Sequence, residues 1–201
     1  DVLTSRGLGD VYKRQPSSLL FYLGFNKKLK NLTHHNLFFD ADYNLHLKEI
    51  YKDPKWPSKP LFYANFTSMT NSHTAPEGCE NGFILIPIAP GLEDTQDLRE
   101  KYFDIVIDRI EKITNQEIRS NIIYKKSFCV NDFINEYNSY KGNAYGLANT
   151  LLQTSFLRPK LKSSKVNNLF FTGQLTVPGP GVPPSIVSGE LVADLINKSN
   201  P

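Results

Sequence analysis

Apolar and polar positions alternate through Ser17–Phe25, where Leu19, Phe21 and Leu23 are set against Leu20 and Tyr22, with Gly24 near the end. That two-residue period predicts a strand. Residues 34–40 read as a second short strand around Leu37, Phe38 and Phe39. Asp42 stands where it caps a short helix over Tyr43–Tyr51, which the Asp53-Pro54 and Trp56-Pro57 breaks then end. Residues 61–69 and 82–88 are further β-rich, aromatic runs, and Pro87 predicts an edge or a bulge in the second.

Beyond Asp94, expected as a cap, the period changes to that of a helix. Phe103, Val106, Ile107, Ile110 and Ile113 form an apolar face of about three turns, opposite Asp97, Glu100, Lys101, Asp104, Asp108 and Glu111. A last strand is predicted over residues 121–128 and a short helix from Asn131 to Tyr137. Residues 142–159 are mixed, and 168–172 form a short apolar strand. Pro183-Pro184-Ser185 then opens a helix with Ile186, Gly189, Ala193 and Ile196 on one face. The expected fold class is α+β followed by one α/β unit: a mixed sheet with covering helices, then a strand, loop and helix.

Composition adds limits. The 201 residues are 40% hydrophobic and 21% charged, ordinary for a globular protein. No run of about 18 apolar residues occurs, so no segment spans a membrane alone. A net charge of +3 is too small to argue for nucleic acid. The lysines at 27, 28 and 30, and those at 160–165, can touch an anionic membrane surface, although ordinary solvated lysines are the commoner case. Cys79 and Cys129 form no CxxC pair, which indicates neither zinc nor a disulfide framework and suits a reducing cytoplasm.

Residues 1–15 lack periodicity and a secretory pattern, and VYKRQ resembles translated adapter sequence, so they are expected to be a non-native leader. Gly7-Leu8-Gly9 is rejected as a dinucleotide fingerprint because Tyr12 stands at the third glycine. His34 and His35, neighbours on a predicted strand, should point to opposite faces, and His46 and His73 lack ligand partners at metal spacing. No metal site is expected. Asp40, Asp42 and Glu49 read as solvated charges or caps, and no hydrolase motif is present.

The stretch with most chemical content is 168–189, NLFFTGQLTVPGPGVPPSIVSG. Glycines let a backbone approach a ligand closely, and a helix start carries roughly half a positive charge. A rigid surface loop explains the same composition, and pattern alone leaves both open. The string resembles the C-terminal flavin-contacting motif of the phytoene desaturases, in the amine-oxidase-like flavoprotein group. Residues 141–159 (KGNAYGLANTLLQTSFLRP) are similar to the segment that precedes it there. PEGCENGFILIPIAPGLED, VNDFINEYNSYKGNAYG and the run from Leu32 to Tyr51, with Thr33 interrupting, also resemble bacterial members.

The resemblance covers about residues 17–197 and implies a C-terminal fragment of an FAD-dependent carotenoid desaturase. It implies a substrate-binding sheet domain over 16–140 and, over 141–201, the return of a Rossmann-type FAD domain whose GxGxxG half is missing. By the same carry-over, Thr172, Gly173 and Gln174 lie near the ribityl–pyrophosphate part of FAD, Gln174 standing where many relatives have an acid. Pro178, Gly179, Gly181, Val182 and Pro183 pass under the isoalloxazine, and Tyr145 and Leu147 contact the carotene. The implied reaction passes hydride to flavin N5 and loses a proton from the neighbouring carbon. Its implied partners are a hydrophobic carotene, quinone or oxygen as electron acceptor, and the cytoplasmic surface of the inner membrane. A later-stage carotenoid desaturase, a carotene isomerase and a non-catalytic lipid-binding module stand as alternatives. Alone, the fragment is expected to be inactive.

Overall fold

A computed structural model of the chain describes residues 15–148, 150, 153, 154 and 157–199. The expected leader, apart from Gln15, and the Gly7-Leu8-Gly9 reading lie outside the described residues. The chain divides into two compact units, Pro16–Asn143 and a second that includes the residues from Ala144 onward.

The first unit is a sheet covered on one face by a long helix. Its strands are β1 (Ser17–Phe25), β2 (His35–Phe38), β3 (Phe62–Asn65), β4 (Glu80–Ile88) and β5 (Ile122–Phe128), in the order β2-β3-β4-β1-β5. Every neighbouring pair is antiparallel, so the sheet is not the mixed one expected. Helix α1 spans Tyr43–Tyr51, α2 spans Gln96–Thr114 and α3 spans Val130–Tyr137.

Register explains the core. Leu19 faces Ile86 and Phe21 faces Ile84 across β1 and β4, and all four side chains are buried on one face. Phe103, Val106, Ile107 and Ile110 of α2 close that face, with Phe103 edge-on to Phe21 at 5.3 Å. Burying side chains of this size contributes roughly 1.5–3 kcal/mol each. Gly82 is small because the Phe25 ring occupies its place: a Cβ there would meet it at 2.9 Å.

Several expectations need correction. Thr95, not Asp94, caps α2, accepting the Leu98 N–H; the Asp94 carboxylate instead takes a two-pronged bond from Arg99 at 2.7 Å on each arm. Ile113 is exposed, whereas Tyr102 and Thr114 are buried, because the contact stripe drifts around α2 toward its C-terminal end. Residues 61–69 yield only a four-residue strand, followed by a 3-10 turn over Thr67–Met69. Pro87 sits on an inner strand, at a point where β4 has run past Leu85, the last residue that β3 pairs. His34 precedes β2, so strand alternation does not govern it, and its ring lies 4.2 Å from that of His35. Glu49 is no solvated charge: it is 2% exposed and accepts the Ser58 N–H at 3.0 Å. Asp40 pairs with Arg109, while Asp42 caps α1 as expected.

In the second unit, residues 168–172 do not form the expected strand. Phe170 makes one isolated bridge, to Lys162, and no ladder extends it among the described residues. Helix α4, Val182–Ser199, follows as the proline start predicts. Ser188 is its one fully buried side chain among the described residues, while Val182, Ile186, Val187, Leu191, Leu195 and Ile196 are exposed.

Candidate functional site

The turn before α4 is tied together by two side chains. Ser188 Oγ donates to the Ser185 carbonyl at 2.7 Å and accepts the Gly173 N–H at 2.8 Å. Its single proton being used, the Thr172 hydroxyl, 2.7 Å away, must donate to it. The second tie is Arg158, which is 2% exposed. Its guanidinium reaches the Gln174 carbonyl at 3.4 Å and the Leu147 carbonyl at 3.3 Å. Gly179, at φ 143°, lies so close that a Cβ would stand 3.2 Å from Arg158 Nε. Burial pushes the Arg158 pKa down.

These ties bring Leu147 and the 172–181 turn together, with the side chain of Leu175 set against Gly146. Leu147 is buried and Tyr145 exposed. Thr172, Pro178, Gly181, Val182 and Pro183 are exposed, Gly173 and Gln174 half-buried, and Gly179 buried. Arg158 escaped the sequence reading, since a lone arginine in an irregular segment carries no periodic signal.

Does such a turn suit FAD? Thr172 and Gly173 spend their donors inside the fold, on Ser188. The Ser185 N–H closes the first helical bond to Gly181, and Pro183 and Pro184 have no N–H. The start of α4 therefore lacks the row of donors that grips a phosphate. It does offer the Val182 N–H and the positive end of the helix dipole, enough for one acceptor atom at a ring edge. Beside Gly173, at φ 101°, a Cβ would meet nothing within 4 Å, which leaves space for a ligand to lie close to the backbone. The turn fits the flavin ring edge and fits the pyrophosphate poorly.

The first unit holds a second, apolar site on the sheet face away from α2. Tyr22, Phe83, Tyr63 and His35 form a row across β1, β4, β3 and β2, with ring centroids 5.4, 6.4 and 6.0 Å apart in turn. At the β1 end, burial and the nearby Tyr137 push the Tyr22 phenol up. At the β3 end, α1 stands against a cavity of about 310 Å³ walled by Leu47, Ile50, Leu61, Phe62, Leu85 and Pro87. Among the described residues, no charged side chain lines it. His46, also in the wall, donates from Nε2 to the Pro87 carbonyl at 2.9 Å and accepts the Leu61 N–H at Nδ1, 3.1 Å away. Burial holds its imidazole below the usual pKa. Among the described residues, no three His, Cys, Asp or Glu gather as metal ligands, and no helix is long and apolar enough to cross a membrane.

Comparison with known proteins finds relatives along most of the chain. The chain is 42% identical to the carotenoid 3,4-desaturase of Haloarcula japonica over 181 residues, 90% of this chain and 37% of that protein. It is 34% identical to the 4,4'-diaponeurosporene oxygenase of Staphylococcus haemolyticus, over 94% of this chain and 38% of the relative. With the zeta-carotene-forming phytoene desaturase of Myxococcus xanthus it shares 30% identity, over 89% of this chain and 35% of the relative. No family model matches the sequence. The chain spans little more than a third of the length of these curated relatives. Over some nine-tenths of its own residues, the chain is homologous to carotenoid desaturases.

Proposed function

We propose that the protein carrying this chain is an FAD-dependent desaturase of a carotene, and that the chain supplies its substrate floor and one side of its flavin site. The observation that carries the reading is the 42% identity to a carotenoid 3,4-desaturase over nine-tenths of the chain. The same observation favours a later carotenoid over phytoene, since the phytoene desaturase matches at 30%.

The row Tyr22, Phe83, Tyr63 and His35 suits a flat conjugated chain, because aromatic faces give large apolar contact without hydrogen-bond demands. Leu147, whose carbonyl Arg158 holds, and Tyr145, two residues before it, are the residues of that unit proposed to touch the carotene. FAD would be held by Gln174, Pro178, Gly179, Gly181, Val182 and Pro183, with Thr172 and Gly173 fixing the turn from within. When bound, FAD supplies a hydride acceptor at N5. The Val182 N–H and the helix dipole would steady negative charge at the ring edge. Quinone or oxygen is the proposed final electron acceptor, and the cytoplasmic face of the inner membrane the proposed location.

The test is to express the full-length gene in hosts that accumulate phytoene or a later carotene, and to analyse the pigments. Unchanged pigments in every host, with folded and flavin-loaded protein, would sink the reading and leave a lipid-binding module in its place.

A further inference from the structure

The cavity beside α1 permits a more specific statement about the substrate, one that rests on the function proposed above. At about 310 Å³ it is roughly twice the ~150 Å³ cavity that admits a benzene ring, room for on the order of ten carbons. A whole carotene is far larger, so the cavity holds only a part of one. Tyr63 belongs both to the aromatic row and to the cavity wall, so a chain lying along the row leads into it. There α1 stands beside the row, with the buried His46 and Ile50 forming part of the wall.

Of the polar side chains in the wall, His46 and Tyr63 are already engaged. Both nitrogens of His46 are bonded to the backbone. The Tyr63 hydroxyl is within hydrogen-bond distance of His35 Nδ1, at 2.6 Å, and of Asn65 Nδ2, at 3.0 Å. Tyr43 and Tyr51 stand at the exposed rim. A hydroxyl carried past them to the floor would leave its water partners and find none in His46 or Tyr63.

We propose that this cavity seats one unsubstituted, methyl-branched hydrocarbon end of the polyene and selects against an end bearing a hydroxyl. The cost of an unpaired buried hydroxyl translates into about ten- to a hundred-fold weaker binding.

The test uses the whole chain and a conjugated fatty acid, cis-parinaric acid, whose fluorescence rises when its tail leaves water. A branched two-isoprene hydrocarbon and its counterpart with a hydroxyl on the branched terminal carbon compete for the site. The hydrocarbon should displace the probe at least about ten-fold better than the alcohol. Leu47→Trp, which fills the cavity, should abolish probe binding while the far-ultraviolet dichroism and melting curve stay unchanged. If Leu47→Trp unfolds the chain, Leu37→Trp at the exposed rim blocks the mouth without touching the core. Equal competition by the two compounds, or unaltered binding in a folded filled variant, overturns the proposal. Carotene conversion by the full-length enzyme is read separately. Conversion that persists while the binding result fails removes the cavity assignment alone, and selective binding without conversion removes the desaturase reading.

Discussion

Ser188 Oγ accepts the backbone N–H of Gly173 across fifteen residues of chain, at 2.8 Å, and so fixes the turn to the second exposed turn of α4. The hydroxyl is fully buried and has three partners, Thr172, Gly173 and Ser185. Ser188→Ala leaves the Gly173 N–H and the Thr172 hydroxyl without their acceptor, a loss of ~1–3 kcal/mol. Amide hydrogen exchange at Gly173 should therefore speed up by about ten- to a hundred-fold. Unchanged protection would mean that the turn is held by something other than this serine.

Arg158 and Gly179 should behave as one device. Gly179→Ala places a Cβ at φ 143°, a conformation that costs side chains about 1–3 kcal/mol, and presses it on the guanidinium. Arg158→Met removes the bonds to Leu147 and Gln174. Both variants should be cut faster by protease within residues 172–181, while cleavage in β1–β5 stays as it was. A double variant no more sensitive than either single one would establish the coupling. Additive sensitivity would refute it.

The two cysteines should differ in reactivity. Cys129 is buried, and desolvation, reinforced by Asp94, pushes its thiol up to about 12. Cys79 is half-exposed. Near pH 8, a thiol reagent should label Cys79 promptly and Cys129 only after unfolding, because the thiolate is the reacting species. Rapid titration of both thiols in the native chain would contradict the packing of α3 against the sheet.

Acid should weaken the first unit through His46. Burial lowers its folded pKa from an ordinary 6.5, against the opposing pull of Pro87 and Glu49. As pH falls, the unfolded chain takes up the proton first. The stabilisation from neutral His46 is thus complete above about 6.5 and is lost as pH drops from there through the lowered folded value. Urea midpoints measured over that window should fall in the parent chain and fall less steeply in His46→Asn. Parallel slopes would exclude His46 as the source.

Much of this fold was legible because periods are local. The alternation in β1, the Asp42 cap of α1 and the Pro183 start of α4 each depend on neighbours in sequence. Asp94 was misread because its carboxylate is drawn to Arg99, a residue of α2 itself whose guanidinium also reaches Asp132. Residues 168–172 have the composition of a strand but no ladder to join, and a strand exists only through its partners. The stretch Thr172 to Pro183 was singled out through family resemblance, whereas its tie to Arg158 was not, because nothing local marks that arginine. The row Tyr22, Phe83, Tyr63 and His35 is assembled from four strands by register, a relationship that no single stretch of sequence contains.

That row has a consequence for how such a protein changes over time. Along β1 and β4 the odd and even positions serve different masters: Phe21 and Ile84 hold α2, while Tyr22 and Phe83 look the other way. A replacement at Tyr22 or Phe83 can change the chemistry of the open face and leave the packing against α2 untouched. The open face can therefore be altered by small steps, without passing through an unfolded ancestor.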